Sequence, residues 1–154
     1  MSEFDRIDRR ILDTLQGDGR ISNADLAERV GLSASACLRR VRELEKSGVI
    51  ERYVMLIDQA RIGRPTNVFV EISLQSQAVE ALDAFEAAVA KSPEVMECYL
   101  MAGDADYLLR VTTAGAEDYE RVHRELLARL PGVARVRTIF ALRTICKRTA
   151  FKMA

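Results

Sequence analysis

The stretch ISNADLAERVGLSASACLRRVRELEKSG, residues 21–48, decides the fold of the first part of the chain. Two short segments within it carry apolar residues at helical spacing, and Gly31 separates them. Ser22 and Ser33 stand where helix N-caps are expected, and Gly48 is suited to end the second segment. Two capped helices joined by a glycine turn have the spacing of a helix-turn-helix, which the sequence therefore predicts.

A further helix is predicted ahead of this motif, over FDRIDRRILDTLQ at residues 4–16, because its apolar residues fall on one stripe. After the motif, the β-branched and aromatic run VIERYVMLID at 49–58 predicts a strand. Gly63 and Pro65 favour a linker, so a domain boundary is expected near residues 58–66.

From residue 67 the period of the apolar residues changes. Strands are predicted over NVFVEISLQ, VMECYLMA, YLLRVTT and VARVRTIFALRTICK, and helices over AVEALDAFEAAVAK and EDYERVHRELLARL. This β-α-β-β-α-β order predicts a ferredoxin-like sandwich. The expected class is α+β, with a helix-turn-helix domain at 1–60 and a ferredoxin-like domain at 66–154.

The predicted sheet has a second face that its own two helices leave uncovered. Its strands are apolar at both alternating positions, with Phe69 against Val68 and Val70, and with Tyr99 against Cys98. We therefore expect a second copy of the chain to cover that face, giving a homodimer.

Composition narrows the class of protein without naming a partner. The formal net charge is zero, and the two parts of the chain are each balanced, with 12 basic and 11 acidic residues before residue 66 and 11 and 12 from there on. The apolar runs are far shorter than the roughly 18 residues of a membrane span, and the acidic N-terminus is unlike a signal peptide. A cytoplasmic protein with no membrane partner is expected.

The sequence offers no catalytic or metal-binding cluster. Cys37, Cys98 and Cys146 lie far apart, so we expect buried free thiols and neither disulfides nor a zinc site. His123 is the only histidine and shares a helical stripe with Tyr119, which favours a partly buried structural role.

Basic side chains form one face of the third predicted helix. At about 100° per residue, Ser35, Arg39, Arg42 and Lys46 make a continuous strip, here called the basic stripe, opposite the apolar face that contains Leu38. Arginine can bond a guanine edge, and lysine can neutralise phosphates, so the stripe predicts a helix that enters the DNA major groove. Alternatively, the stripe is a solvated face with charge pairs at i,i+4.

Other residues of the helix extend the predicted interface. The small residues at its start would let the backbone approach the bases, and Arg40, which lies beyond the stripe, is expected to contact a phosphate. The expected DNA-binding residues are Ser33, Ser35, Ala36, Arg39, Arg40, Arg42 and Lys46.

With these motifs, residues 5–50 resemble the DNA-binding domain of the Lrp/AsnC family of transcription regulators, and GDADYLLRV and LPGV resemble its effector-binding domain. The resemblance covers nearly the whole chain. It implies a winged helix-turn-helix joined to a ferredoxin-like domain, dimers that assemble into octamers, and control by a small amino acid. Arg39 stands where some relatives carry an acid, which could change the operator sequence.

The stretch MAGDADY, residues 101–107, is the expected effector site. Its carboxylates match the ammonium group of an amino acid, and backbone N–H groups can hold the ligand carboxylate. The resemblance places the effector between this turn and the last strand of a neighbouring subunit, where apolar residues suit leucine or methionine. The expected effector residues are Met101, Gly103, Asp104, Asp106, Thr138, Ile139, Phe140 and Ala141. Alternatively, GDAD is only a hairpin turn and Asp106 a strand cap.

The favoured function is a sequence-specific DNA-binding regulator that responds to an amino acid and uses no other cofactor. An enzyme is disfavoured, because the chain has no Gly-rich phosphate loop and no nucleophile–base pair. A ligand-binding or scaffolding protein, whose helix-turn-helix contacts other proteins, remains the alternative. Salt-dependent DNA binding separates the two.

Overall fold

The computed structural model describes residues 4–153 and divides into two compact units. The first combines the chain up to Leu56 with the residues from Ile145 onward, and the second spans Ile57–Thr144. The expected division at 1–60 and 66–154 differs from this grouping at the C-terminal end, because residues after Ile145 pack with the first unit. The expectation about a signal peptide partly concerns residues 1–3, which lie outside the described residues.

Three helices form the first unit: α1 at Arg6–Gly17, α2 at Asn23–Val30 and α3 at Ala34–Lys46. The side chain of Ser22 accepts a hydrogen bond from the Asp25 N–H, and that of Ser33 accepts one from the Ala36 N–H, so both predicted caps are confirmed. Gly31 has φ 75° and ψ 40°, the left-handed conformation that glycine adopts without steric cost. The predicted helix-turn-helix is thus present.

The core of this unit lies among the three helices. Its buried residues are Ile11, Leu12, Leu26, Ala27, Val30, Cys37, Val41 and Leu44. Leu38 was expected on the apolar face of α3, but its side chain is 38% exposed and does not belong to this cluster. Leu38 lies about 90° around the helix from the centre of the buried stripe, which places it at the border with the basic stripe.

The strand predicted at 49–58 is wrong. In the described part of the chain this segment has no ladder partner, and the side chains from Val54 to Ile57 are exposed. Near the start of the segment, the Ile50 N–H donates to the Leu44 carbonyl at 3.2 Å and its side chain packs against the helical core, and the Tyr53 hydroxyl donates to the Glu45 carboxylate at 3.0 Å. The β-forming residues therefore lack the neighbouring strand that a β conformation needs.

The second unit has the predicted β-α-β-β-α-β order. Its elements are β1 Thr66–Leu74, α4 Val79–Val89, β2 Val95–Leu100, β3 Tyr107–Thr113, α5 Ala116–Glu125, a short 3-10 turn Leu127–Arg129 and β4 Val133–Phe140. The four strands form one antiparallel sheet in the order β2-β3-β1-β4. β4 ends at Phe140, earlier than the predicted 133–147.

The two faces of the sheet differ in composition. On one face, side chains from β1 and β3 pack against Phe85 and Val89 of α4 and Tyr119 and Val122 of α5. The opposite side, here called the open face, carries Phe69, Tyr99, Leu108 and Ile139, with Phe69 opposite Ile139 and Tyr99 opposite Leu108. Arg110 crosses this face, bonded to Glu97 at 2.6 Å and to Asn67 at 3.1 Å. The open face is therefore partly apolar and partly charged.

The three cysteines have different environments. Cys37 is buried and Cys98 is half-buried, but Cys146 is exposed because it follows the last strand in a segment without regular structure. Burial raises the pKa of the Cys37 and Cys98 thiols. The expectation that all three thiols are buried is therefore wrong for Cys146. None of the helices in residues 4–153 has the length and apolar character needed to cross a membrane.

The turn before α3 is testable through Gly31. Gly31→Ala is expected to lower the free energy of unfolding of the first unit by about 1–2 kcal/mol, because an L-residue is strained in the left-handed region. Gly17→Ala is the control, since Gly17 ends α1 without a positive φ and an added Cβ meets nothing within 4 Å. Urea unfolding followed by far-UV circular dichroism measures both, and equal stability of Gly31→Ala and wild type would contradict this role.

Candidate functional site

The basic stripe lies on the exposed side of α3. Ser35, Arg39, Arg42 and Lys46 are all exposed, because Cys37, Val41 and Leu44 turn the opposite side of the helix into the core. Together with Leu38 and Glu43, the stripe lines a shallow groove. The structure thus brings the four predicted side chains onto one surface.

The start of α3 is fixed by polar contacts to neighbouring residues. Ser33 caps the helix, and its hydroxyl lies 3.3 Å from that of Ser35. Asn23, at the start of α2, donates its side-chain amide to the Ala34 carbonyl at 2.8 Å. Ser33 and Ser35 are exposed and Ala36 is half-buried, so the first turn of α3 presents only small side chains.

The charges on this surface are available to a ligand. Arg39 bonds Glu43 at 2.9 Å, an i,i+4 pair whose two side chains are both well exposed. Such a pair stabilises a helix by less than about 1 kcal/mol, so a phosphate or a base can replace the Glu43 carboxylate. Within residues 4–153, no ion pair engages Arg42 or Lys46.

Arg40 has a different environment from the stripe. Its guanidinium donates to the carboxylates of Asp5 at 2.7 Å and Asp8 at 2.8 Å, at the start of α1. The Asp8 N–H, followed by the Arg40 guanidinium, lowers the pKa of Asp5, and the two carboxylates raise the pKa of Arg40. Because two carboxylates already balance its charge, Arg40 joins α3 to α1 and is poorly placed for the phosphate contact expected of it.

In the second unit, the turn at residues 101–106 is tied to the end of β1 through Asp106. The Asp106 carboxylate accepts the Leu74 N–H at 2.7 Å and the Gln77 side-chain amide at 2.7 Å, and the Asp106 N–H donates to the Ile72 carbonyl at 2.9 Å. Asp106 thus has the strand-capping role considered as the alternative. Across the turn, the Met101 N–H donates to the Asp106 carbonyl at 2.8 Å.

The rest of the turn faces solvent. Met101, Gly103 and Asp104 are all exposed, and an added Cβ at Gly103 would meet nothing within 4 Å. Asp104 is therefore the carboxylate of this turn that a ligand can reach.

The predicted effector residues of β4 divide between the two faces of the sheet. Thr138 lies 2.5 Å from the Tyr119 hydroxyl, and Phe140 makes an edge contact with the Tyr119 ring at a centroid distance of 5.2 Å. Ile139 points to the open face. Just beyond β4, the Ala141 N–H donates to the Asn67 carbonyl at 3.0 Å.

The turn and these β4 residues do not meet within one protomer. Asp106 adjoins Ile72, whereas Phe140 pairs with Val68 at the other end of β1, about 13 Å away along the strand. β4 also lies at the edge of the sheet opposite β2. A site that uses both sets therefore requires two copies of the chain.

Sequence patterns missed three residues around these sites. Gln77 holds the Asp106 carboxylate, Tyr119 holds Thr138, and Leu38 borders the basic stripe. The position of Leu38 could have been found by centring the helical wheel on Cys37, Val41 and Leu44. The other two contacts depend on strand register and helix docking, for which the sequence contains no local signal. Among the described residues, no three His, Cys, Asp or Glu side chains group as metal ligands.

Comparison with known families gives two matches, one in each part of the chain. The family model of the Lrp/AsnC ligand binding domain matches residues 67–151, and the model of the winged helix-turn-helix DNA-binding domain matches residues 4–51. The Bkd operon transcriptional regulator of Pseudomonas aeruginosa is 43% identical over 97% of this chain and 98% of its own length. The leucine-responsive regulatory protein of Escherichia coli K12 is 44% identical over 93% of this chain and 87% of its own length.

Solved structures agree with these matches. A transcriptional regulator from Neisseria meningitidis in complex with L-Met superposes with a TM-score of 0.90 at 33% identity, covering 96% of both chains. An AsnC family transcriptional regulator from Agrobacterium tumefaciens superposes with a TM-score of 0.91 at 39% identity, again covering 96% of both chains. The fold class expected from the sequence is confirmed.

The pairing of Arg40 predicts a mutation that affects stability and not DNA affinity. Arg40→Gln is expected to lower the free energy of unfolding by roughly 1 kcal/mol, because Asp5 and Asp8 lose their shared partner. Its affinity for DNA, measured by fluorescence anisotropy at a temperature where both proteins are folded, should stay within about twofold of wild type. Arg9→Gln, at an exposed position of α1, is the control. A large loss of affinity in Arg40→Gln on all DNA sequences alike would instead show that Arg40 contacts a phosphate.

Proposed function

This chain belongs to the Lrp/AsnC family of DNA-binding transcriptional regulators with an amino-acid-binding domain, and we propose that it reads DNA through the basic stripe of α3. The observation that carries this proposal is the exposure of Ser35, Arg39, Arg42 and Lys46 on a capped helix that follows a left-handed glycine turn. This is the geometry by which a second helix of a helix-turn-helix enters the major groove.

The side chains of α3 have complementary roles in this proposal. Arg39 bonds a guanine edge, exchanging Glu43 for the base, while Arg42 and Lys46 neutralise phosphates. Ser33, Ser35 and Ala36 allow the start of the helix to approach the bases closely. Arg40 makes no contact with DNA and instead ties α3 to the start of α1 by pairing with Asp5 and Asp8.

We propose that an apolar amino acid binds between the turn of one protomer and β4 of a neighbour. Asp104 pairs with the ammonium group of the ligand, and backbone N–H groups of the turn hold its carboxylate. Phe140, which is partly exposed, contacts the apolar side chain, whereas Ile139 points to the open face, where the second copy is proposed to pack. The relatives' names, a leucine-responsive regulator and a complex with L-Met, support leucine and methionine as the first candidates. Asp106, whose carboxylate accepts hydrogen bonds from Leu74 and Gln77, holds the turn against the end of β1.

We propose that the chain forms a homodimer through the open face, so that two α3 helices read two half-sites. The exposed Tyr99 and Ile139 on that face, beside half-buried Phe69 and Leu108, support this arrangement. Further assembly into octamers would bring the turn of one dimer to β4 of another. Sedimentation velocity with and without L-methionine measures both steps. Because the relatives are transcriptional regulators, we propose that the chain catalyses no reaction.

The roles proposed for Arg39 and Lys46 can be separated by measuring how DNA affinity depends on salt concentration and on the DNA sequence. Arg39→Ala is expected to weaken binding to the duplex upstream of the protein's own gene by about 1–3 kcal/mol and to relax specificity at one base position. Lys46→Ala is expected to weaken binding to all sequences alike and to reduce the salt slope by about 1. Fluorescence anisotropy over a salt series, on the native and a scrambled duplex, measures both.

Lys91→Ala is the control for charge, since Lys91 is exposed in the second unit and takes no part in the stripe. An equal loss on both duplexes for Arg39→Ala would make Arg39 a phosphate contact. No preference of the wild type for the native duplex at any salt concentration would favour the scaffolding alternative.

Asp104 can be tested separately from the support of the turn. Asp104→Asn is expected to weaken the binding of L-methionine or L-leucine by about tenfold, because a charge-assisted hydrogen bond of about 1.5 kcal/mol is lost. Isothermal titration calorimetry measures the affinity, and the thermal midpoint should not change. Asp83→Asn, at another exposed acid of the second unit, is the control. Wild-type affinity in Asp104→Asn would show that Asp104 does not bind the ligand.

A further inference from the structure

The charge of the chain is segregated near its C-terminal end although the net charge is zero. Glu125 is the last acidic residue, and none follows it. Over the same stretch, the basic residues are Arg129, Arg135, Arg137, Arg143, Lys147, Arg148 and Lys152. Such an excess of one sign creates a local positive field that the balanced total conceals.

Part of this basic stretch packs with the helix-turn-helix. Residues 145–153, here called the C-terminal segment, belong to the same compact unit as α1, α2 and α3. The backbone of Phe151 is bonded twice to the Gln16 side chain, its N–H donating to Oε1 at 2.6 Å and its carbonyl accepting from Nε2 at 3.1 Å. Met153 packs against the core of the unit. The segment is therefore anchored to α1 at defined points.

The cationic side chains of this segment point into solvent. Lys147, Arg148 and Lys152 are exposed. No ion pair found in the described range 4–153 involves any of them, as is also the case for Arg42 and Lys46 of the basic stripe. Three unneutralised cations within six residues are suited to a polyanion, whose charges are regularly spaced.

We propose that the C-terminal segment is a second DNA-contacting element, in which Lys147, Arg148 and Lys152 bind phosphates that flank the half-site read by α3. This inference rests on the proposed function, since the segment acts on the DNA that α3 has engaged. Anchoring by Gln16 keeps the segment beside the helix-turn-helix, so its charges add affinity without reading bases. Its contribution is therefore independent of sequence and sensitive to salt.

The test compares two triple variants that have the same net charge. The first replaces the segment's cations: Lys147→Gln, Arg148→Gln and Lys152→Gln. The second, a control with the same change in net charge, replaces exposed cations of the second unit: Lys91→Gln, Arg129→Gln and Arg124→Gln, of which only Arg124 has acidic partners. Anisotropy on the native and scrambled duplexes gives the slope of log affinity against log salt. Thermal unfolding establishes that both variants are folded, and sedimentation velocity gives their oligomeric state.

In the segment variant, the slope of log affinity against log salt is expected to be shallower by about 2–3 on both duplexes. The preference for the native duplex should remain that of the wild type. The control should retain the wild-type slope. An equal decrease in both variants would show an effect of net charge alone and would overturn the inference. A wild-type slope with an altered oligomeric state would assign the segment to contacts between copies and would also overturn it.

Failure of the inference and failure of the proposed function give different results. If the wild type prefers the native duplex and the segment variant matches it in slope, the inference fails and the proposed function stands. If the wild type binds neither duplex at low salt, both fail.

Discussion

The burial of Cys37, Val41 and Leu44 fixes the rotation of α3, and the proposed DNA-binding surface depends on that rotation. Turning the helix by one residue, about 100°, would carry charged side chains toward the core, which is far more costly than leaving them in water. Ser33 and Asn23 set where the helix begins, and Arg40 joins α3 to the start of α1. The basic stripe is exposed because its neighbours are buried.

In the second unit, one carboxylate has a comparable role. Asp106 takes the Leu74 N–H at the end of β1 and the Gln77 amide beyond it, so the turn at 101–106 keeps a fixed position relative to the sheet. Asp104, two residues earlier, is exposed. Two aspartates in one short motif thus separate into a structural residue and a candidate ligand-binding residue. The separation follows from position, because Asp106 is half-buried and tied to Leu74 and Gln77, whereas Asp104 is exposed to solvent.

Charge is distributed unevenly along the chain, and the fold brings part of its most basic stretch into the unit that holds the helix-turn-helix. The two parts of the chain carry nearly equal numbers of acids and bases, and this balance conceals a stretch after Glu125 with no acid. The fold places part of that stretch in the unit that holds the helix-turn-helix. The chain therefore passes between its two units twice, once near Leu56 and once near Thr144.

The sequence by itself determined the elements whose signals are local. Helix caps, the left-handed glycine and the helical period gave the helix-turn-helix and its basic stripe, and alternation gave the four strands of the second unit. Contacts between distant residues were decided only in the tertiary structure. The 49–58 run has the residues of a strand but no partner strand, Arg40 pairs with acids more than 30 positions away, and the C-terminal segment packs with α1. Each of these depends on which surfaces meet after folding, and local propensity contains no information about that.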